Sequence, residues 1–146
     1  MSVLKSQRTK GDAKAETALP KASTDFFQGY WLQYDIAGAA GAVKPLTPTA
    51  RVVGLCGETI TESIVGAVEY ANPINQLHFD MVDVASDRFT MPVTNGTALA
   101  TMRGSTFDIF TDFYGLDVST AGTQFRITQV FSATEVEVEV NPVLVA

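Results

Sequence analysis

The side chains best suited to chemistry are one histidine and several carboxylates near the middle of the chain. His78 is the only histidine, and Asp80, Asp83 and Asp87 follow it closely. On a strand, His78 and Asp80 share a face and offer two metal ligands. Their spacing matches neither an EF-hand loop nor a His-Glu-x-x-His helix. We therefore expect solvated or turn-forming carboxylates here, and no metal site.

Nucleophilic catalysis finds little support in the sequence. A serine or cysteine nucleophile needs a histidine beside it, and no Gly-x-Ser-x-Gly motif accompanies His78. We expect a surface or interface histidine. Cys56 is the only cysteine, which excludes an intramolecular disulfide and a cysteine-based zinc site. Its neighbours are apolar, so we expect a small buried hydrophobe rather than a reactive thiol.

Three glutamates near the end of the sequence are the remaining candidates for acid–base chemistry. Glu135, Glu137 and Glu139 alternate with valines, so on a strand they share one face and do not oppose each other across a cleft. A solvated or edge-protecting face is the expected role. The glycine-containing stretches match no phosphate-binding motif. The sequence therefore predicts no catalytic residue and no cofactor, and we expect the protein not to be an enzyme.

The elements that would position these residues are strands. Hydrophobic periodicity from residue 30 onward is two, and residues 135–140 separate valines from glutamates as only a strand can. Breaks such as Asn72-Pro73 and Asn95-Gly96 recur at short intervals. This pattern predicts an all-β fold, a compact sandwich or barrel of about eight short strands with an extended N-terminal arm. The strand candidates are residues 50–56, 63–70, 77–84, 88–93, 98–103, 106–110, 124–131 and 134–140.

Helical patterns are scarce. Residues 24–27 could cap a short helix and residues 59–62 could form a turn, but neither sustains helical apolar spacing. We expect at most one or two short helices.

Charge divides the 146 residues into two parts. Residues 1–23 carry five basic and two acidic residues, whereas residues 24–146 carry five basic and fourteen acidic ones. We predict a flexible basic N-terminal arm followed by an acidic β-domain. The arm is either a frayed terminus or a segment that becomes ordered on a partner. The acidic body argues against nucleic acid as a partner. No apolar run suggests a membrane span or a secretory signal.

The order of the β segments resembles that of a viral protein family. Residues 51–60 lead into residues 63–70, and residues 89–98 and 136–140 follow. In this layout, over about residues 45–140, the chain resembles the small head-decoration, or cement, proteins of tailed bacteriophages. These proteins pair a flexible N-terminal arm with a compact β-domain. The resemblance implies a structural protein of the virion that binds the outer capsid surface and bridges capsid subunits.

The resemblance also implies partners and a location. We expect the major capsid protein as partner, self-association as a homotrimer, and assembly in the host cytoplasm. The alternatives are another virion part, such as a head-fibre base, tail component or adhesin, and a small-ligand or carbohydrate-binding β-barrel. For the aromatic residues among the expected contacts, Phe26, Phe27, Tyr30 and Trp31, packing in the core is an equal alternative role. The expected partner contacts are Val3, Leu4, Lys5, Arg8, Lys10, Lys14, Leu19, Lys21, Phe26, Phe27, Tyr30 and Trp31.

Overall fold

The fold is all-β, as the sequence predicts. The structure, a computed structural model, describes residues 5–21, 24–35, 41–60, 76–83 and 86–141. Eleven strands lie within these ranges. They are β1 (Gln7–Lys10), β2 (Ala15–Ala18), β3 (Trp31–Tyr34), β4 (Val43–Pro45), β5 (Gly54–Cys56), β6 (Leu77–Met81), β7 (Arg88–Asn95), β8 (Thr106–Ile109), β9 (Leu116–Asp117), β10 (Phe125–Ser132) and β11 (Glu135–Val140).

Five of these strands close into a barrel. The order is β7-β11-β10-β8-β9, and β9 returns to pair with β7 in parallel. All other pairings in the ring are antiparallel. The valines of β11 face the barrel interior and are buried, while its glutamates lie on the half-buried outer face. The alternation predicted for this strand is therefore confirmed, although β11 has neighbours on both sides and its glutamates do not protect an edge.

The other sheet has the order β2-β6-β5-β3-β4. Just after β2, the chain runs parallel to β4, where Val43 N–H donates to Leu19 O and Lys21 N–H donates to Val43 O, both at 2.8 Å. These two bonds bring the outer strands of the sheet together. The second sheet therefore also curls around its own small core.

Strict alternation in β3 and β5 lets the second sheet serve two cores. Leu32 and Cys56 point into its own core, whereas Trp31 and Leu55 point into the barrel core. Trp31 packs edge-on against Phe89 and Phe125 of the barrel, with ring centroids 5.1 and 4.9 Å away. Because both faces are covered, β3 and β5 are almost wholly buried. The two sheets are thus joined through apolar side chains.

The predicted strand positions agree with the structure in β5, β6, β7, β8, β10 and β11. Residues 98–103, predicted as a strand, instead contain a 3-10 turn at Ala100–Met102. Residues 24–27 form no helix, because Phe26 exchanges backbone hydrogen bonds with Ile60. The predicted strand at 63–70 lies outside the described residues. The described helical content is too short and too polar to span a membrane.

The described part of the N-terminal segment pairs with both sheets. Residues 7–10 form β1 beside β7, and residues 15–18 form β2 beside β6. The physical reason is that β6 and β7 each have an open edge whose backbone groups need partners, and acidic residues near those edges attract the basic segment. The described residues 5–21 therefore lie against the β-domain, and the division at residue 23 stays a prediction.

Candidate partner-binding surface

The predicted contact residues of the N-terminal segment lie in different environments. Lys5, Lys10, Lys14 and Lys21 are exposed, and Leu19 is buried. Val3 and Leu4 lie outside the described residues. The lysines therefore remain accessible to a partner, whereas Leu19 belongs to the core.

Arg8 is occupied by contacts within the chain. Its guanidinium lies 2.7 Å from Asp80 Oδ2 and 2.6 Å from Asp87 Oδ2, and 4.9 Å above the ring of Phe89. The side chain of Asp87 is fully buried, and that of Arg8 is only 14% exposed. A guanidinium is well suited to such a site, since it pairs with carboxylates and stacks on aromatic rings. Arg8 therefore fastens the segment to the body and is not a free partner contact.

Electrostatics explain how Arg8 remains charged there. Burial by itself lowers the pKa of Arg8, but hydrogen bonds and charge interactions with Asp80 and Asp87 outweigh it, so the pKa is raised. Lys14 supports the same pair of carboxylates: its backbone N–H donates to Asp80 Oδ1 at 2.8 Å, and its ammonium lies 3.8 Å from Asp87. The region of β6 and β7 thus supplies an acidic surface to the basic N-terminal segment.

The aromatic residues at the start of the body divide into two pairs. Phe26 and Trp31 are completely buried and belong to the two cores. Both therefore pack in the cores, which is the alternative role expected for them. Phe27 and Tyr30 are half-buried, with their rings 5.4 Å apart. Only this second pair can contact a partner.

Two further aromatic residues complete the cluster. Tyr30 packs against Phe113 and Tyr114, with ring centroids 5.1 and 4.8 Å away, and both are half-buried. Phe113 has a φ of 65°, a conformation that bulky residues rarely adopt. Asp112 shapes this loop, because its Oδ1 accepts the backbone N–H groups of Tyr114 and Gly115. No local pattern in the sequence marks Phe113 and Tyr114, since only the fold brings their loop to Tyr30.

The aromatic rings form one wall of an open groove of about 500 Å³, here called the aromatic groove. Its lining combines the three rings with charged and hydroxyl side chains: Lys21, Thr24, Asp25, Phe27, Tyr30, Lys44, Pro45, Thr47 and Phe113. Burial raises the pKa of Tyr30, and nearby Tyr114, Asp25 and Asp112 add to the shift. The phenol thus remains a neutral hydrogen-bond donor at neutral pH. The groove thus combines apolar ring surface, ammonium groups, hydroxyl donors and the carboxylate of Asp25.

The residues considered for chemistry have structural partners. His78 is exposed and pairs with Glu58, so it is the surface histidine that we expected. Burial raises the pKa of the Cys56 thiol to about 11, and its Sγ contacts Glu58 O at 3.0 Å. Within the described ranges, no three histidine, cysteine or acidic side chains are grouped as metal ligands would be. Asp80 pairs with Arg8 and does not converge with His78 on an ion.

Two more apolar side chains face solvent at the barrel. Leu99 is 54% exposed and Phe131 is 48% exposed. A bulge in β10 explains Phe131: the pairing register with β11 shifts between Ile127 and Gln129, so Val130 takes the inward position and Phe131 turns outward.

In comparisons with known proteins, the chain matches no family model, no curated protein and no solved structure.

Proposed function

We propose that this protein is a structural component of a tailed-phage virion, which binds the outside of the capsid and stabilises it by bridging capsid subunits. The observation that carries the proposal is the aromatic groove, where half-buried rings of Tyr30 and Phe113 lie beside Lys21 and Lys44. Aromatic side chains surrounded by polar ones are typical of the anchoring residues in protein interfaces. The layout of the chain, which resembles head-decoration proteins, supports the same role.

The occupant proposed for the groove is a segment of the major capsid protein with apolar and acidic side chains. The rings would bury the apolar groups, and the ammonium group of Lys44 would pair with an acidic one. Outside the groove, the exposed Lys5 and Lys10 of the N-terminal segment would add to the attraction of an acidic shell. Each contact is weak, but repetition over a shell gives strong overall retention.

Co-sedimentation with empty capsids tests the proposal. Deleting residues 1–23 is a poor test, because it removes β1 and β2 and leaves Asp87 buried without Arg8. Phe113→Gly is sharper, since glycine adopts a φ of 65° without strain. Relief of strain of about 1–3 kcal/mol offsets the lost ring packing, so folding stability should change by less than about 1.5 kcal/mol.

We expect Phe113→Gly to weaken capsid binding at least tenfold. Phe131→Ala is the matched control, because it removes an exposed ring outside the groove, and it should bind as the wild type does. Bound protein should also raise the temperature at which the shell loses integrity. Equal binding of Phe113→Gly and wild type would exclude the groove as the anchor, and absence of wild-type binding would refute the proposed function.

A further inference from the structure

We propose that β1 is exchanged between copies of this protein: β1 of one copy pairs with β7 of a second copy and places its Arg8 between that copy's Asp80 and Asp87. The inference rests on the proposed function, since it names the partner that the N-terminal segment takes when copies are neighbours on a shell. The partner surface is the acidic site beside β7, and its occupant is the basic strand of a second copy.

Little apolar burial holds β1 on its own body, so little is lost when the strand is exchanged. None of residues 5–10 is buried, so the hydrophobic effect retains the strand only weakly. It is held by edge pairing with β7, by the ion pairs of Arg8, by the stacking of Arg8 on Phe89 and by two side-chain hydrogen bonds. Those two bonds join Trp31 Nε1 to Ser6 Oγ at 3.1 Å and Thr9 Oγ1 to Glu137 Oε2 at 3.2 Å.

The site that receives β1 requires a basic strand. Asp87 is buried with a completely unexposed side chain, and Phe89 beside it is also buried. An empty site would leave this carboxylate without its guanidinium, which is strongly destabilising. A second copy carries the identical strand and reproduces every contact. The exchanged and unexchanged forms thus differ chiefly in the connection between β1 and β2.

That connection is a hinge whose closed form requires glycine. Gly11 has a φ of +94°, and a Cβ at this position would overlap Asp87 Oδ1. Asp12 and Ala13 complete the connection, and all three residues are exposed. From Lys14 onward the chain is held again, because Met81 N–H donates to Lys14 O at 2.9 Å. Opening the hinge therefore frees β1 while β2 stays paired with β6.

Paired cysteines test the exchange directly. Gln7 and Thr90 face each other across β1 and β7, a relation that permits a disulfide. We would co-express a Gln7→Cys copy with a larger, tagged Thr90→Cys copy and separate the products on a non-reducing gel. Cys56 is buried, so it does not compete. The control combines Gln7→Cys with Thr101→Cys, an exposed residue outside β7, and measures collisional cross-linking.

We expect at least ten times more mixed disulfide dimer from the Gln7/Thr90 combination than from the control, increasing further on capsids. A yield equal to that of the control, with an intrachain disulfide in the Gln7→Cys/Thr90→Cys double variant, would overturn the exchange. Capsid co-sedimentation of the wild type is measured in parallel. Capsid binding without mixed dimers refutes only the exchange, and mixed dimers without capsid binding refute only the proposed function.

A hinge variant supplies an independent test. Gly11→Ala disfavours the closed turn and should raise the dimer fraction in gel filtration at least threefold. Gly104→Ala is the matched control, because Gly104 also has a positive φ, of +87°, but no atom within 4 Å of the added Cβ. A Gly11→Ala protein that stays monomeric, with β1 amides exchanging freely, would show that the strand detaches without entering a second copy.

Discussion

The strands β1 and β11 lie on opposite sides of β7 and are attached to it by different forces. β11 buries Val136, Val138 and Val140 in the barrel core, each at most 1% exposed. β1 buries none of its residues, and its strongest contacts are the ion pairs of Arg8. Strand β7 is thus joined to β11 mainly through apolar burial and to β1 mainly through ion pairs.

The difference shows how a single sheet can hold one strand, β11, permanently and another, β1, exchangeably. Separating β11 from β7 would expose the buried valines of β11 to water, so we expect the two strands to separate only when the barrel unfolds. Edge pairing and ion pairs can be exchanged for identical contacts elsewhere. We therefore expect β1 to be able to detach from β7, or to be exchanged, while the barrel stays closed.

Removing the charge of Arg8 should have the largest effect. Arg8→Met keeps much of the apolar stem but leaves Asp87 buried without its guanidinium, so we expect the free energy of unfolding to fall by about 3 kcal/mol. Urea denaturation measures the change. Arg103→Met, at an exposed arginine, is the control and should change stability by less than about 0.5 kcal/mol. Equal effects of the two substitutions would show that Arg8 does not fasten β1.

Truncating a valine of β11 should have the next largest effect. Val138→Ala removes two fully buried methyl groups and leaves a small cavity, so we expect a loss of about 2 kcal/mol. The loss should be the same at low and high salt, because no charge is involved. A salt-dependent loss, measured by urea denaturation at two salt concentrations, would contradict the apolar attachment of β11.

Added salt should affect β1 and β11 differently, with a smaller effect than either substitution. Raising the ionic strength from about 0.05 to 0.5 M screens the partly exposed Lys14 and Asp80 more than the buried Asp87, so amide hydrogens of β1 should exchange with solvent about twofold faster. Amide hydrogens of β11 should be unaffected. Hydrogen exchange followed by mass spectrometry resolves the two segments. Similar acceleration in both would indicate that they open together.

The smallest effect concerns the barrel seam, where β9 meets β7. Burial alone raises the pKa of Asp117, but hydrogen bonds from Ser119 and Asn95 outweigh it and lower the pKa. A carboxylate with a lowered pKa stabilises the fold above its unfolded pKa and loses that contribution as the pH falls through the folded value.

Asp117→Asn should therefore reduce stability at neutral pH by less than about 0.5 kcal/mol, since solvent screens this site. The difference from wild type should shrink as the pH falls below the unfolded pKa of an aspartate, about 3.9. Thermal denaturation across this range measures it. Neutral-pH stability equal to that of wild type would show that the seam does not depend on the charge of Asp117.

The sequence predicts those strands whose two faces differ strongly. In β11 the alternation of Val and Glu is complete, and the structure confirms it. β1 and β2 have mostly polar residues on both faces, so their sequence contains no period that indicates a strand. Their pairing depends on open strand edges and on the carboxylates Asp80 and Asp87, which are far away in sequence.

The candidate surface was predictable in part for the same reason. Composition alone draws attention to Phe27 and Tyr30, but it does not separate them from the buried Phe26 and Trp31. Phe113 escapes notice because its importance comes from a backbone conformation and from proximity to Tyr30. Both depend on the tertiary fold, which a local pattern does not encode.

The position of Trp31 gives the protein a built-in optical reporter. It is the only tryptophan, it begins a strand of the second sheet, and it packs between Phe89 and Phe125 of the barrel. Its emission should therefore be blue-shifted while the two halves are docked and should move to the red when they part. A spectrum recorded without any label would reveal whether the halves melt as one cooperative unit.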